Sequence, residues 1–218
     1  MLLVAASLAG MAITSTLAGA AWLARNEAER QRARAEAEAE TARQTTRFMV
    51  DLFKVSDPSE ALGNSITARE ILDKGAARIE GELADQPVIR ATLMDTMGSV
   101  YTGLGLYQPA ARLLRQAYAQ RQRTLGGDHP DVAGSLNRLG EVLTLQADYA
   151  DAERYLKAAL ASRRRIHGPD SLEVAGTQMA LAEVMSETGR YDEGEPLIRD
   201  ALRIRRAHLG TSHPDVAA

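Results

Sequence analysis

Residues 126–168 read GGDHPDVAGSLNRLGEVLTLQADYADAERYLKAALASRRRIHG, and sliding this stretch by 42 residues in either direction meets the same framework again. The offset aligns Gly126, Gly168 and Gly210; Val132, Val174 and Val216; Val100, Val142 and Val184; Tyr107, Tyr149 and Tyr191; Ala117, Ala159 and Ala201; and Arg121, Arg163 and Arg205. A self-match across several residue types marks a repeat architecture. Within one period, Pro130 to Leu145 and Tyr149 to Ile166 carry apolar residues at helical spacing, parted by the polar turn Gln146 to Asp148. Each period is therefore predicted to be a helical hairpin. Val132, Leu136, Leu139, Val142 and Leu143 form the buried stripe of its first helix, and Ala152, Leu156, Ala159 and Leu160 that of its second. Small Ala152, Ala159 and Gly140 let the two axes come close. Gly127-Asp128-His129-Pro130 separates one hairpin from the next: Gly supplies left-handed turn geometry, Asp can cap, and Pro fits a first helical turn.

Composition agrees with an all-α chain. The 218 residues include 26 Lys+Arg against 29 Asp+Glu, only one Trp, two Phe and six Tyr, and no Cys. Few aromatics among many Ala, Leu, Arg and Glu argue against a β-sandwich or barrel. A net charge of -3 exerts no general pull on nucleic acid, so no nucleic-acid partner is expected. The missing cysteines exclude a disulfide scaffold and thiolate chemistry. His129 and His213 stand two periods apart and read as turn residues, too distant to share a metal ion. With no phosphate-binding glycine loop, His-Arg-Asp or Asp-Phe-Gly segment, neither catalysis nor a cofactor is expected of this chain.

Leu136, Leu139-Gly140, Leu143, Ala152 and Leu156 resemble the tetratricopeptide repeat pattern, with Leu where that family often has Trp or Tyr. The 42-residue period, Leu136-Asn137-Arg138-Leu139, and Leu125-Gly126 leading into Asp128-His129-Pro130-Asp131-Val132-Ala133 resemble the kinesin light chain type of this repeat. The resemblance implies an α-solenoid of stacked hairpins over 85–127, 128–169 and 170–211, with 212–218 opening a truncated fourth. His213-Pro214-Asp215-Val216-Ala217 thus suggests a fragment cut within an array. The third hairpin departs from the pattern at Gln178, Ala182, Gly194 and Pro196 and is expected to pack less tightly. Residues 56–84 read as a linker and a capping helix, with Thr67 and Glu70 spaced as a capping box.

Met1 to Ala24 contains no charge, and 24 residues at about 1.5 Å rise cover a hydrocarbon core of about 30 Å. Residues 1–24 therefore read as a transmembrane helix and a single-pass inner (cytoplasmic) membrane protein, the alternatives being a signal peptide cleaved near Ala18-Gly19-Ala20 or a buried helix. Small residues one turn apart, such as Ala6 and Gly10 or Ser15 and Gly19, raise a homodimer through that helix. Residues 25–55, free of Gly and Pro, read as a charged helical stalk. Arg25, Arg30, Arg32 and Arg34 would hold the C-terminal part in the cytoplasm. The apolar span, the stalk, Asp57-Pro58, Thr67 to Leu72 and Tyr101-x-x-Leu104-Gly105-Leu106-Tyr107 together resemble the tail of certain bacterial serine/threonine protein kinases. That resemblance implies a kinase domain before the span and repeats on the other side of the membrane, against the arginines. A free-standing adaptor is the alternative.

The first helices of stacked hairpins should line a concave face. Their residues left over from packing are Asp95, Ser99 and Thr102; Asn137, Glu141 and Thr144; and Met179, Glu183 and Ser186. They form the expected contact surface for a protein or peptide, in a membrane-anchored interaction module. An amide both donates and accepts, and the family resemblance points to Asn137 as the residue that holds an extended peptide backbone. Arg163-Arg164-Arg165, Arg205-Arg206, Arg121 and Arg123 sit at the ends of second helices, where solvation and the helix dipole account for them.

Overall fold

The computed structural model describes residues 2–54 and 67–217, and among them the only regular elements are helices. They fall into two units, one up to Val50 and one from Asp51. The first is the helix α1 (Leu2–Lys54). Its charged part is laced by pairs one turn apart, among them Arg25 with Glu29 and Arg43 with Glu40. The single-pass membrane localisation is corrected here: among the described residues no helix is long and apolar enough to cross a membrane. The described side chains of α1 begin at Gly19 and turn charged at Arg25. The apolar run before them is diluted by eight Ala, two Gly, two Ser and two Thr, which carry little transfer free energy. The spacings read as a dimer seam, Ala6 to Gly10 and Ser15 to Gly19, fall mainly on side chains outside the described residues, as does the linker at 55–66.

The second unit is an array of α2 (Ala68–Glu82), α3 (Pro87–Gly103), α4 (Tyr107–Leu125), α5 (Pro130–Leu145), α6 (Tyr149–His167), α7 (Leu172–Glu187), α8 (Tyr191–Leu209) and the short α9 (Pro214–Ala217). Three antiparallel hairpins, α3–α4, α5–α6 and α7–α8, stack in sequence order, with α2 laid against α3. Thr67 accepts from the Glu70 amide while the Glu70 carboxylate accepts from the Thr67 amide, so the capping box starts α2 as read. At the head of α5 the cap is His129, not Asp128: its Nδ1 accepts from the Asp131 amide at 3.2 Å, with Pro130 in the first turn. Gly126, Gly168 and Gly210 end the second helices at φ 81°, 86° and 83°, which explains why glycine recurs there each period.

Hairpin closure rests on one repeated contact. A Cβ placed on Gly98 would stand 2.7 Å from Leu114 Cγ, and one on Gly140 would stand 2.4 Å from Leu156 Cγ. Both leucines are fully buried in the space the glycines leave. In the third hairpin the small residue changes sides: Ala182 replaces the glycine on α7, and Gly194 replaces the alanine of α8. A Cβ on Gly194 would meet Met185 Cβ at 3.3 Å, so the close approach survives the exchange and the looser packing expected there is not seen between α7 and α8.

The turn inside each hairpin needs a residue with φ near +70°. Gly105 (73°) and Gly189 (74°) supply it in the first and third, but the second has Ala147 at φ 60°. A Cβ in left-handed geometry costs about 1 kcal/mol. Ala147→Gly should therefore raise stability by about 1 kcal/mol in chemical denaturation, and an unchanged or lowered midpoint would contradict this account of the turn.

Candidate binding grooves of the first helices

The backbones of α3, α5 and α7 approach one another from hairpin to hairpin, whereas α4 and α6 meet through side chains, as where Tyr118 and Tyr155 pack edge to face at 6.3 Å. First helices therefore line the inner side of the array. Two grooves open on it. One, of about 210 Å³, lies between α3 and α5 and is bordered by Ser99, Thr102, Arg138 and Glu141. The other, of about 630 Å³, is bordered by Glu141 on α5 and by Met179, Ala180, Glu183 and Ser186 on α7.

Six of the nine residues read as a contact surface border these grooves: Ser99, Thr102, Glu141, Met179, Glu183 and Ser186. The other three are buried and already occupied. Asp95 lies between two guanidinium groups, 3.2 Å from Arg121 Nη1 and 2.7 Å from Arg138 Nη2. Thr144 donates to the Gly140 carbonyl at 3.0 Å. Asn137, only 6% exposed, donates from Nδ2 to Glu141 Oε1 at 2.6 Å and accepts at Oδ1 from Arg163 Nη1 at 3.1 Å. Its amide thus holds the groove in shape and aims Glu141.

A feature that sequence reasoning misses runs behind the grooves. Arg121 reaches from α4 to Asp95 on the first helix of its own hairpin, and its Nη1 donates to Ser135 Oγ on the next at 2.7 Å. One period later Arg163 repeats the arrangement. Its Nη1 bonds Asn137, then Thr177 Oγ1 at 2.7 Å and the Glu173 carbonyl at 2.9 Å. Asp95 aligns with Asn137, and Ser135 with Thr177. These arginines are ties between hairpins, not solvated helix ends. Their alignment at the repeat period was the available signal, because helix-end solvation needs a basic residue only somewhere in the last turn. Burial holds the Arg163 guanidinium below its ordinary pKa, with Glu141 and Glu173 opposing that shift.

Glu141 is the electrostatic centre of the surface. Although open on the groove side, it is walled closely enough that loss of water raises its carboxyl above the ordinary value, and Glu183 adds to the rise. The Asn137 hydrogen bond, then Arg163 and Arg138, pull the other way.

Sequence comparison bears on the same residues. The profile of the tetratricopeptide repeat family matches residues 89–165 and again 131–207, together more than half of the chain. The chain belongs to the tetratricopeptide repeat family. Its fold is similar to that of a putative kinesin light chain of Podosopora anserina with nearly identical TPR-like repeats. Two crystal structures of that protein give TM-scores of 0.58 and 0.57 at 20% identity, over 80% of this chain and 79% of that one. BtubC (BKLC) of P. vanneervenii is similar at a TM-score of 0.56 and 21% identity, over 82% of this chain and 78% of that one. At such identities the likeness is one of fold. No curated protein sequence matches the chain.

For a tetratricopeptide array, stacking and groove can be probed separately. Arg163→Ala strips one partly buried cation of three partners and should cost about 2 kcal/mol, whereas Arg164→Ala next to it, exposed, should stay within about 0.5 kcal/mol. Equal losses in thermal denaturation would reject the tie. For Glu141, a raised carboxyl means that the folded chain holds more protons than the unfolded chain just above the ordinary carboxylate value. Stability therefore falls as pH climbs through that window. Glu141→Gln removes this loss, so its advantage over the parent should be absent near about pH 4 and present near about pH 7. A pH-independent difference between the two melting curves would show that Glu141 is not desolvated.

Proposed function

We propose that the chain acts by binding, holding a peptide or protein segment along the inner face formed by α3, α5 and α7, in hairpins taken as 85–127, 128–169 and 170–211. Tetratricopeptide arrays are suited to protein–protein interaction, and the family match carries that much. The observation in favour of this face is the sorting of its polar residues. Asp95, Asn137 and Thr144 are used up by the array, while Ser99, Glu141, Glu183 and Ser186 stay accessible along two adjoining grooves. A groove whose walls are pre-set by internal hydrogen bonds loses little further entropy when a ligand arrives. The matches support the repeat and not the kinase-tail resemblance.

Panning a random peptide display library on the full chain tests this reading although the natural ligand is unidentified. Selected peptides should bind a Ser99→Trp/Ser186→Trp variant about tenfold more weakly or worse, since indoles would fill both grooves. A Gln122→Trp variant on the exposed side of α4 should bind them unchanged. Peptides retained equally by all three chains would place the contact surface elsewhere.

A further inference from the structure

The two inner grooves are built on one period, yet they differ threefold in volume, about 210 Å³ against about 630 Å³. One side chain accounts for much of the difference. In the first groove Arg138 extends from α5 back to α3, where Nη2 and Nε lie 2.7 Å and 2.9 Å from the two oxygens of Asp95. Such a two-pronged pairing is the tightest arrangement a guanidinium makes with a carboxylate. At the equivalent place in the next period stands Ala180, and Asn137 stands where Asp95 did. The cross-groove arginine is absent, and the space beside Ala180 is open.

What borders that space is acidic over an apolar floor. Glu141, Glu183 and Glu187 line it with Met179 and Ala180, and among the described residues Arg205 is the one cation of the lining. Glu187 accepts from the Tyr149 hydroxyl and Glu141 from the Asn137 amide. Glu183 has no hydrogen bond or ion pair among the described residues. Negative charge gathered in a groove with low-polarity walls favours a cation over water more strongly than the same charge on an open surface. An alkyl stem ending in a planar cation fits both the floor and the rim.

We propose that the groove between α5 and α7 receives an arginine side chain of a partner peptide, beside Ala180, at the place which the chain's own Arg138 serves one period earlier. This rests on the inner-face reading and narrows it to basic ligands. The aliphatic stem lies on Met179 and Ala180, and the guanidinium faces Glu183 and Glu141. The first groove, already spanned by Arg138, does not share this preference.

The probe is a fluorescein-labelled Ala-Arg-Leu-Arg-Ala peptide compared with its citrulline counterpart, which keeps the shape without the charge, by fluorescence anisotropy on the full chain. The arginine peptide should bind about tenfold more tightly at low salt, and added salt should narrow the gap. Glu183→Gln, an exposed change that leaves the core alone, should weaken it about fivefold. Ala180→Arg should weaken it at least as much by rebuilding the internal cation, with circular dichroism confirming that this variant folds. Equal affinity for the two peptides, or binding that Glu183→Gln leaves unmoved, overturns the proposal. Should that happen while display-selected peptides still depend on Ser99 and Ser186, the inner-face reading stands and only the arginine assignment falls.

Discussion

Two helices can lie against each other at full contact only where one of them gives up a side chain. In this array the concession is made at Gly98 and Gly140, and Leu114 and Leu156 occupy the space it frees. The rest of the packing depends on that approach. The burial of Ala110, Ala152 and the leucines above and below them requires the axes to be this close, and the same closeness sets the angle at which the next hairpin arrives. The third hairpin shows that the constraint concerns the pair and not the residue. Alanine replaces the glycine on α7, glycine replaces the alanine on α8, and the two helices still pack.

Stacking adds a second requirement, because apolar contact alone lets one hairpin slide or rotate on another. Arg121 and Arg163 remove that freedom. Each is anchored on one first helix and donates to a hydroxyl on the next, so a single guanidinium fixes the spacing of three helices. Taking a cation out of water is costly, and lost hydration does hold Arg163 below its ordinary pKa. The cost is offset because the hydrogen-bonding partners are placed by the repeat itself, at the same offset each time. Outer ion pairs such as Arg190 with Glu153 add to the register between the second and third hairpins, but they are more open to solvent.

Much of this is legible in the residues. Helical spacing from Pro130 to Ile166 and the 42-residue self-match are properties of a local pattern repeated, so hairpins, turns and the capping box at Thr67 can be read directly. Charged and polar positions are harder to read. Whether an arginine at a helix end points to solvent or folds back beneath the neighbouring hairpin depends on tertiary placement, and Arg163 and Arg164, adjacent in sequence, do opposite things. The same limit applies to Asn137, which is polar and on the correct helix face but buried by a partner that arrives from α6. Ala147 illustrates the converse. Its alignment with Gly105 and Gly189 is visible, but nothing in an alanine announces a left-handed backbone. In α1, absence of charge from Met1 to Ala24 suggests a membrane span, yet freedom from charge is not the same as sufficient apolarity.

The repeat also shows how stability and recognition divide one set of positions. Asp95, Asn137 and Met179 occupy one place in three successive periods: the first takes two arginines, the second one arginine and a glutamate, and the third has no charge or amide to offer. Arg138 and Ala180 form a parallel series, one spanning its groove and the other leaving it open. As the internal polar groups drop out along the array, the carboxylates that would have met them remain. Glu141 is shared between the two conditions, tied to Asn137 on one side and open to the wider groove on the other. A surface of this kind needs no separate binding element. It arises wherever the repeat stops satisfying its own inner face, and the charge left over sets which ligands that face can hold.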